Sequence, residues 1–135
     1  MGTLLDAFAL IAFVGGEPAA PAVRQLLRGG DCAIPTVNLA EAGQRLFRVS
    51  DVRREELEQV VGSLPIDVVP FTRPHAWRAA ELRAAHYRRA DSAVSLADCC
   101  LVAVATPADR VATADPAVLR MAAAEGIGTI ALPRP

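Results

Sequence analysis

The chain has 135 residues, 53% hydrophobic and 21% charged, with 14 basic against 15 acidic residues for a net charge of −1. That length fits one domain, here residues 1–135, with a full core of its own. The hydrophobic fraction excludes a disordered chain, and the short, interrupted apolar stretches exclude a membrane-spanning helix. Near-neutral charge excludes a general field for polyanions, so any nucleic-acid contact is a local patch.

Strand and helix signals alternate along the chain. "GTLLD" is a short strand candidate, followed by an apolar helix near Ala7–Val14 and a turn at "GGEP". This opening lacks a basic leader and is interrupted by Asp6, so it reads as a strand and helix and not as a signal peptide. A second helix runs from about Ala19 to Arg28 and stops at Gly29-Gly30. "CAIP" is a strand, and Thr36 is placed to cap a helix reaching about Val49. "DVRREELEQVVGSL" is a charged amphipathic helix with Asp51 as its expected N-cap. "IDVVPF" is a third strand, and about Pro74–Arg89 a helix with Trp77, Ala80, Ala84 and Tyr87 along one side. "SLADCCLVAVA" is a helix, "RVATA" a strand, "PAVLRMAAAEG" a helix and "GTIAL" a last strand. Strands separated by helices of this length imply βαβ crossovers. The expected class is α/β: a three-layer α/β/α domain around a central, mainly parallel sheet.

The three cysteines form no CxxC and no zinc spacing. They read as buried apolar thiols in a cytoplasmic protein. Every basic residue is arginine and there is no lysine. Lysine-dependent chemistry is thereby excluded, and anion contacts fall to arginine forks. No GxGxxG or GxxxxGK[ST] occurs, and Ser92 and Ser95 lack a GxSxG setting. His75 and His86 stand about 16 Å apart along a helix, too far to share a metal.

The acids are more informative. Ligands of an open parallel sheet bind beyond the carboxyl ends of the strands, where the strand order switches. Asp6 ends the first strand and Asp115 follows the fourth, so both belong to that edge. Asp98 joins them if its helix starts there. Each also has an ordinary structural role open to it. Asp6 and Asp115 stand at N-cap positions, the latter before Pro116, and Ser95 and Asp98 fit a capping box with Asp in place of Glu. Glu41 projects opposite Leu39 and Leu46, with Arg45 placed for an i,i+4 pair. Carboxylates crowded at one edge repel and need a cation to stay ionised. Oxygen-only ligands select Mg²⁺ or Mn²⁺ over zinc.

These segments together resemble a PIN-domain ribonuclease, and within that group a VapC-type toxin of a toxin–antitoxin pair. "LLDAFALIAF" is similar to the opening strand–Asp–helix, and "IPTVNLAEAGQRL" to the segment that supplies a helix glutamate. "SLADCCLVAVA" is similar to the Ser-x-x-Asp segment and "VATADPAVLRMAAAEGI" to the Thr-x-Asp strand end. The resemblance implies Asp6, Glu41, Asp98 and Asp115 as a metal-binding catalytic cluster, with Thr113 orienting it. It implies an Mg²⁺- or Mn²⁺-dependent endoribonuclease that cuts structured RNA, transfer or ribosomal, by activated water. Arg88 and Arg89 are candidates for holding the RNA. The implied partners are a cognate antitoxin, whose tail fills the groove, and a second copy of the chain in a homodimer.

One departure is that Ala7 and Phe8 follow the first Asp, where the family often has Thr or Ser. This leaves an inactive PIN-like binding module as the alternative. A receiver-like phosphoacceptor would need the missing lysine, and a haloacid-type phosphatase would need Asp-x-Asp where Phe8 stands.

Overall fold

The computed structural model describes residues 2–135. β1 (Thr3–Leu5) leads into α1 (Ala7–Gly15) and α2 (Ala20–Arg28), and β2 (Cys32–Pro35) into α3 (Thr36–Val49) and α4 (Arg54–Ser63). β3 (Ile66–Val69) is followed by α5 (Arg73–His86) and α6 (Leu96–Val104), and β4 (Arg110–Thr113) by α7 (Pro116–Ala124) and β5 (Gly128–Ala131). The five strands are all parallel, in the order β3-β2-β1-β4-β5. The chain winds outward from β1 to β3, then returns to place β4 on the other side of β1. The switch in strand order therefore lies between β1 and β4, where a crevice opens at the carboxyl ends.

The layers follow from the strand period of two. Leu4 and Val111 face one side and pack with Leu82, Leu101, Val102, Val118 and Met121 of α5, α6 and α7. Their neighbours Leu5 and Ala112 face the other side and pack with Ala9, Val23 and Leu27 of α1 and α2. A smaller cluster of Ala7, Leu10, Ile34 and Ala42 seats α3 against α1. The fold is a three-layer α/β/α sandwich, as expected, and its sheet is parallel throughout. β1 is buried along its whole length, which is why it reads as a continuous apolar run and not an alternating one. α6 is apolar on every side because it is covered on every side: Cys99 to Ala103 are all buried. None of the helices among the described residues is long and apolar enough to cross a membrane.

Three local expectations need correction. Thr36 is the first residue of α3 and not its cap; Pro35 holds that place, and the Thr36 hydroxyl accepts a hydrogen bond from the Phe71 amide. Asp51 lies outside α4, whose N-cap is Arg53; Glu56 reaches back to the Arg53 amide instead. α5 starts one residue earlier and ends three residues earlier than expected, and its Trp77–Ala80–Ala84–Tyr87 side faces solvent. The buried residues are Ala79 and Leu82, because two arginines spend their reach on backbone carbonyls at this interface: Arg78 on Ala105 and Arg83 on Val94. Leu101→Ala, at the fully buried centre of α6, is expected to cost about 3 kcal/mol of stability by urea unfolding. A loss under about 1 kcal/mol would contradict this packing.

Candidate active site

Three helices begin at the switch-point edge, and each begins with an aspartate. Asp6 follows β1 and caps α1, accepting from the Ala9 amide at 2.8 Å. Asp115 follows β4 and caps α7, accepting from the Ala117 amide at 2.9 Å. Asp98 sits in the first turn of α6 in a reciprocal box. One of its carboxylate oxygens accepts from the Ser95 amide at 2.8 Å, and its own amide donates to the Ser95 hydroxyl at 3.0 Å. The ordinary capping roles are thus all filled. Helix amino ends carry partial positive charge, so three of them offset part of the carboxylate charge.

Thr113, fully buried at the end of β4, ties the first and fourth acids together. Its hydroxyl oxygen accepts from the Asp115 amide at 3.2 Å. A hydrogen bond to the same hydroxyl favours the charged form of Asp6. Glu41 comes from α3, one turn beyond Asn38. The Asn38 side-chain amide donates to the Ala97 carbonyl at 3.2 Å, which pins α3 to the first turn of α6 and sets Glu41 against Asp98. The sequence reading passed over Asn38; a polar residue buried to 1% exposure on a helix of this kind becomes visible only once its neighbour is known.

Asp6, Glu41, Asp98 and Asp115 line one cleft of about 770 Å³. Glu17, from the turn after α1, is a fifth carboxylate on its wall, and the guanidinium-bearing residues Arg45, Arg48 and Arg134 complete it. Arg45 makes no ion pair with Glu41; the described ion pairs lie elsewhere, as at Arg54–Glu58. Arg88 and Arg89 do not line the cleft. They stand exposed on the loop after α5, where Arg88 bridges Ser92. His75 caps α5 by accepting from the Thr72 amide, and His86 contacts Glu125 at 2.8 Å, both away from the acids. All three cysteines are buried, with burial pushing the Cys32 and Cys99 thiols up to about 11.

The acids feel their surroundings. Burial pushes the Asp6 carboxyl up to about 6, against the hydrogen bonds from Thr113 and Ala9, with the Asp98 and Glu41 charges adding to the rise. Burial and then the Asp98 charge raise Glu41. Burial raises Asp98 against its Ser95 hydrogen bonds, and the charge of Asp115 adds to that. A chain of mutual repulsion therefore runs through all four groups.

A model of the PIN domain matches residues 3–124 of the chain. The chain belongs to the PIN-domain family. No curated protein matches it in sequence. Among solved structures it is similar to a chain of a toxin–antitoxin complex from Klebsiella pneumoniae, at 16% identity and TM-score 0.63 over 87% of this chain and 90% of that one. It is also similar to a chain of VapBC2 from Rickettsia felis bound to a promoter DNA fragment, at 12% identity and TM-score 0.70 over 97% and 98%. A third likeness is to FitAcB from Neisseria gonorrhoeae, at 19% identity and TM-score 0.68 over 95% and 96%. At these identities the likeness carries the fold. PIN domains are nucleases, and they generally work with divalent metal ions.

The donor set of this PIN domain fits such an ion. The groups facing the cleft that could ligate are hard carboxylate oxygens, with no thiol or imidazole among them. Among the described residues no three of them stand close enough to close on an ion as the side chains are placed. One oxygen of each aspartate is held by a helix cap; the second oxygens and the Glu41 arm are what an ion would draw together.

The raised Asp6 pKa fixes the sign of a pH effect. The native fold binds this proton more tightly than the unfolded chain. Its contribution to stability is complete below about pH 4 and is lost as pH rises through about 6. Asp6→Asn keeps an oxygen for the Ala9 amide and removes the charge. In EDTA at about pH 7.5 the variant should be more stable than the native chain by about 1–2 kcal/mol, the gap closing toward pH 4. Urea unfolding across pH checks this; a less stable variant at about pH 7.5 would refute it.

Proposed function

We propose that the chain is a metal-dependent endoribonuclease and the toxin of a type II toxin–antitoxin pair, cutting structured RNA such as transfer or ribosomal RNA. The single observation that carries this is the cleft itself: Asp6 after β1, Glu41 of α3, Asp98 of α6 and Asp115 after β4 line one cleft at the sheet's switch point. Its lining contains no serine, threonine, cysteine, histidine or lysine to act as a nucleophile. On this reading water is the attacking group. A bound Mg²⁺ or Mn²⁺ supplies its activation and offsets charge at the phosphate. Asp6, Asp98 and Asp115, with Glu41, are the residues to hold it. Thr113 orients Asp6, Ser95 orients Asp98, and Asn38 sets the two helices that carry Glu41 and Asp98. Ala7 and Phe8 are spent on packing, so Thr113 provides the supporting hydroxyl that Thr or Ser after the first Asp would otherwise give.

The antitoxin reading is supported by a second cavity. A groove of about 820 Å³ between α3 and α4 is lined by Leu39, Phe47, Leu57 and Val61. Gln44 and Arg48 line both this groove and the acidic cleft, so the two are adjacent. An amphipathic antitoxin segment seated on the apolar groove would run directly to the carboxylates, where an arginine of that segment would be neutralised. That two structural relatives are a chain of a toxin–antitoxin complex and a chain of VapBC2 supports an antitoxin partner, and a homodimer is proposed with it.

Purified chain free of antitoxin, incubated with total cellular RNA and Mn²⁺, should release discrete fragments. Asp98→Asn, which retains an acceptor for the Ser95 amide, should cut at least ~100-fold more slowly, and EDTA should abolish cutting. Equal cutting by Asp98→Asn, or by the native chain in EDTA, would sink the proposal. A folded native chain that cuts nothing would favour an inactive binding module.

A further inference from the structure

The cleft carries three guanidiniums that neither the fold nor the metal-binding acids require. Arg45 and Arg48 lie on the face of α3 that bears Glu41, one and two turns further on. At the helical rise they sit about 6 and 10 Å along the axis from Glu41. Arg134 approaches from the far side of the sheet, beyond β5, next to Ala114 and Asp115. α3 follows β2 on one side of β1, and β4 and β5 lie on the other. Asp6, at the end of β1, thus lies between the two segments that carry these arginines, and all four residues line one cleft. None of the three is paired with a carboxylate, although five carboxylates line the same cleft.

The backbone leading to Arg134 is anchored two residues before it. The Leu132 amide donates to the Thr113 carbonyl at 2.9 Å, and the Leu132 side chain is buried. The segment carrying Arg134 is therefore anchored on the residue that links Asp6 to Asp115. Pro133 fixes the backbone before Arg134, and Pro135 restricts Arg134 itself to an extended conformation. The restricted backbone removes part of the ordering cost when the guanidinium binds an anion, leaving the side chain's own rotamers to be fixed.

On the nuclease reading above, we infer that Arg134 on one side and Arg45 and Arg48 on the other grip the phosphodiester backbone of the substrate on both sides of the bond to be cut. Guanidinium forks match phosphate oxygens in geometry and charge. A backbone crossing the cleft meets a positive wall, the acidic floor where a metal sits, and a second positive wall. The loop arginines Arg88 and Arg89 have no part in this path.

The test measures binding apart from cutting. A fluorescein-labelled single-stranded RNA of about 20 nucleotides is titrated with the full-length Asp98→Asn chain in EDTA, at several salt concentrations, by anisotropy. Arg134→Ala in that background should raise Kd about fivefold to tenfold at low salt and flatten the log Kd against log salt slope by about 0.7. Arg45→Ala and Arg48→Ala should do the same, Arg134→Glu should weaken binding more, and the double Arg88→Ala, Arg89→Ala variant should leave Kd and slope unchanged. An Arg134→Ala chain with native Kd and slope overturns the inference, as does an equal loss from all five arginines, which is general surface charge. Native chain is assayed for Mn²⁺-dependent cutting in parallel. Cutting by a chain whose binding ignores Arg134 removes this inference alone; a chain that neither cuts nor binds RNA removes the nuclease reading with it.

Discussion

The site depends on one electrostatic arrangement: carboxylates brought to one cleft at the point where three helices begin. Isolated, a carboxylate as buried as Asp6 would cost several kcal/mol. Here each aspartate gives one oxygen to backbone amides of its own helix, and the helix amino ends add partial positive charge. That compensation is incomplete, as the upward shifts of Asp6, Glu41 and Asp98 record. What is left over is unsatisfied negative charge in a cleft, which a divalent cation would satisfy. Capping would not compete with metal binding at these residues, because it uses one oxygen and leaves the other.

The helix most affected is α6. Its centre is wholly buried and apolar, so it can be placed only where the sheet, α5 and α7 cover it. Asp98 is tolerated because it falls in the first turn, at the mouth of the cleft, and not one turn later among Leu101 and Val102. The Asn38 contact to Ala97 then fixes that turn against α3. Rigid core packing on one side and a single polar tie on the other set the distance between Glu41 and Asp98, so the site inherits its geometry from the core.

α3 joins three surfaces. Its first turns supply Asn38 and Glu41 to the acids, its outer face carries Arg45 and Arg48, and Leu39 and Phe47 line the apolar groove shared with α4. A protein segment lying in that groove and a nucleic-acid backbone crossing the cleft would both meet Arg48. A segment seated there would therefore obstruct a nucleic-acid backbone at Arg48 on simple steric grounds.

By itself the sequence determined the alternation of strands and helices, the burial of the apolar strand β1, the Ser95–Asp98 box and the aspartates after β1 and β4. These are local matters, set by periodicity, capping and turn chemistry within a few residues. It misplaced the caps at Thr36 and Asp51, because the Phe71 amide engages the Thr36 hydroxyl and Glu56 accepts from the Arg53 amide at the start of α4. It also placed Trp77 and Tyr87 on a helix side whose exposure depends on where Arg78 and Arg83 anchor. Only the tertiary structure decided that β4 lies beside β1, which is what puts Asp6 next to Asp115. It alone brought Glu41 and Asp98 together through Asn38, and it moved the arginines of the cleft from the loop at Arg88–Arg89 to α3 and Arg134. Those relations join residues tens of positions apart, and no local preference encodes them; they follow from how the layers close over the sheet.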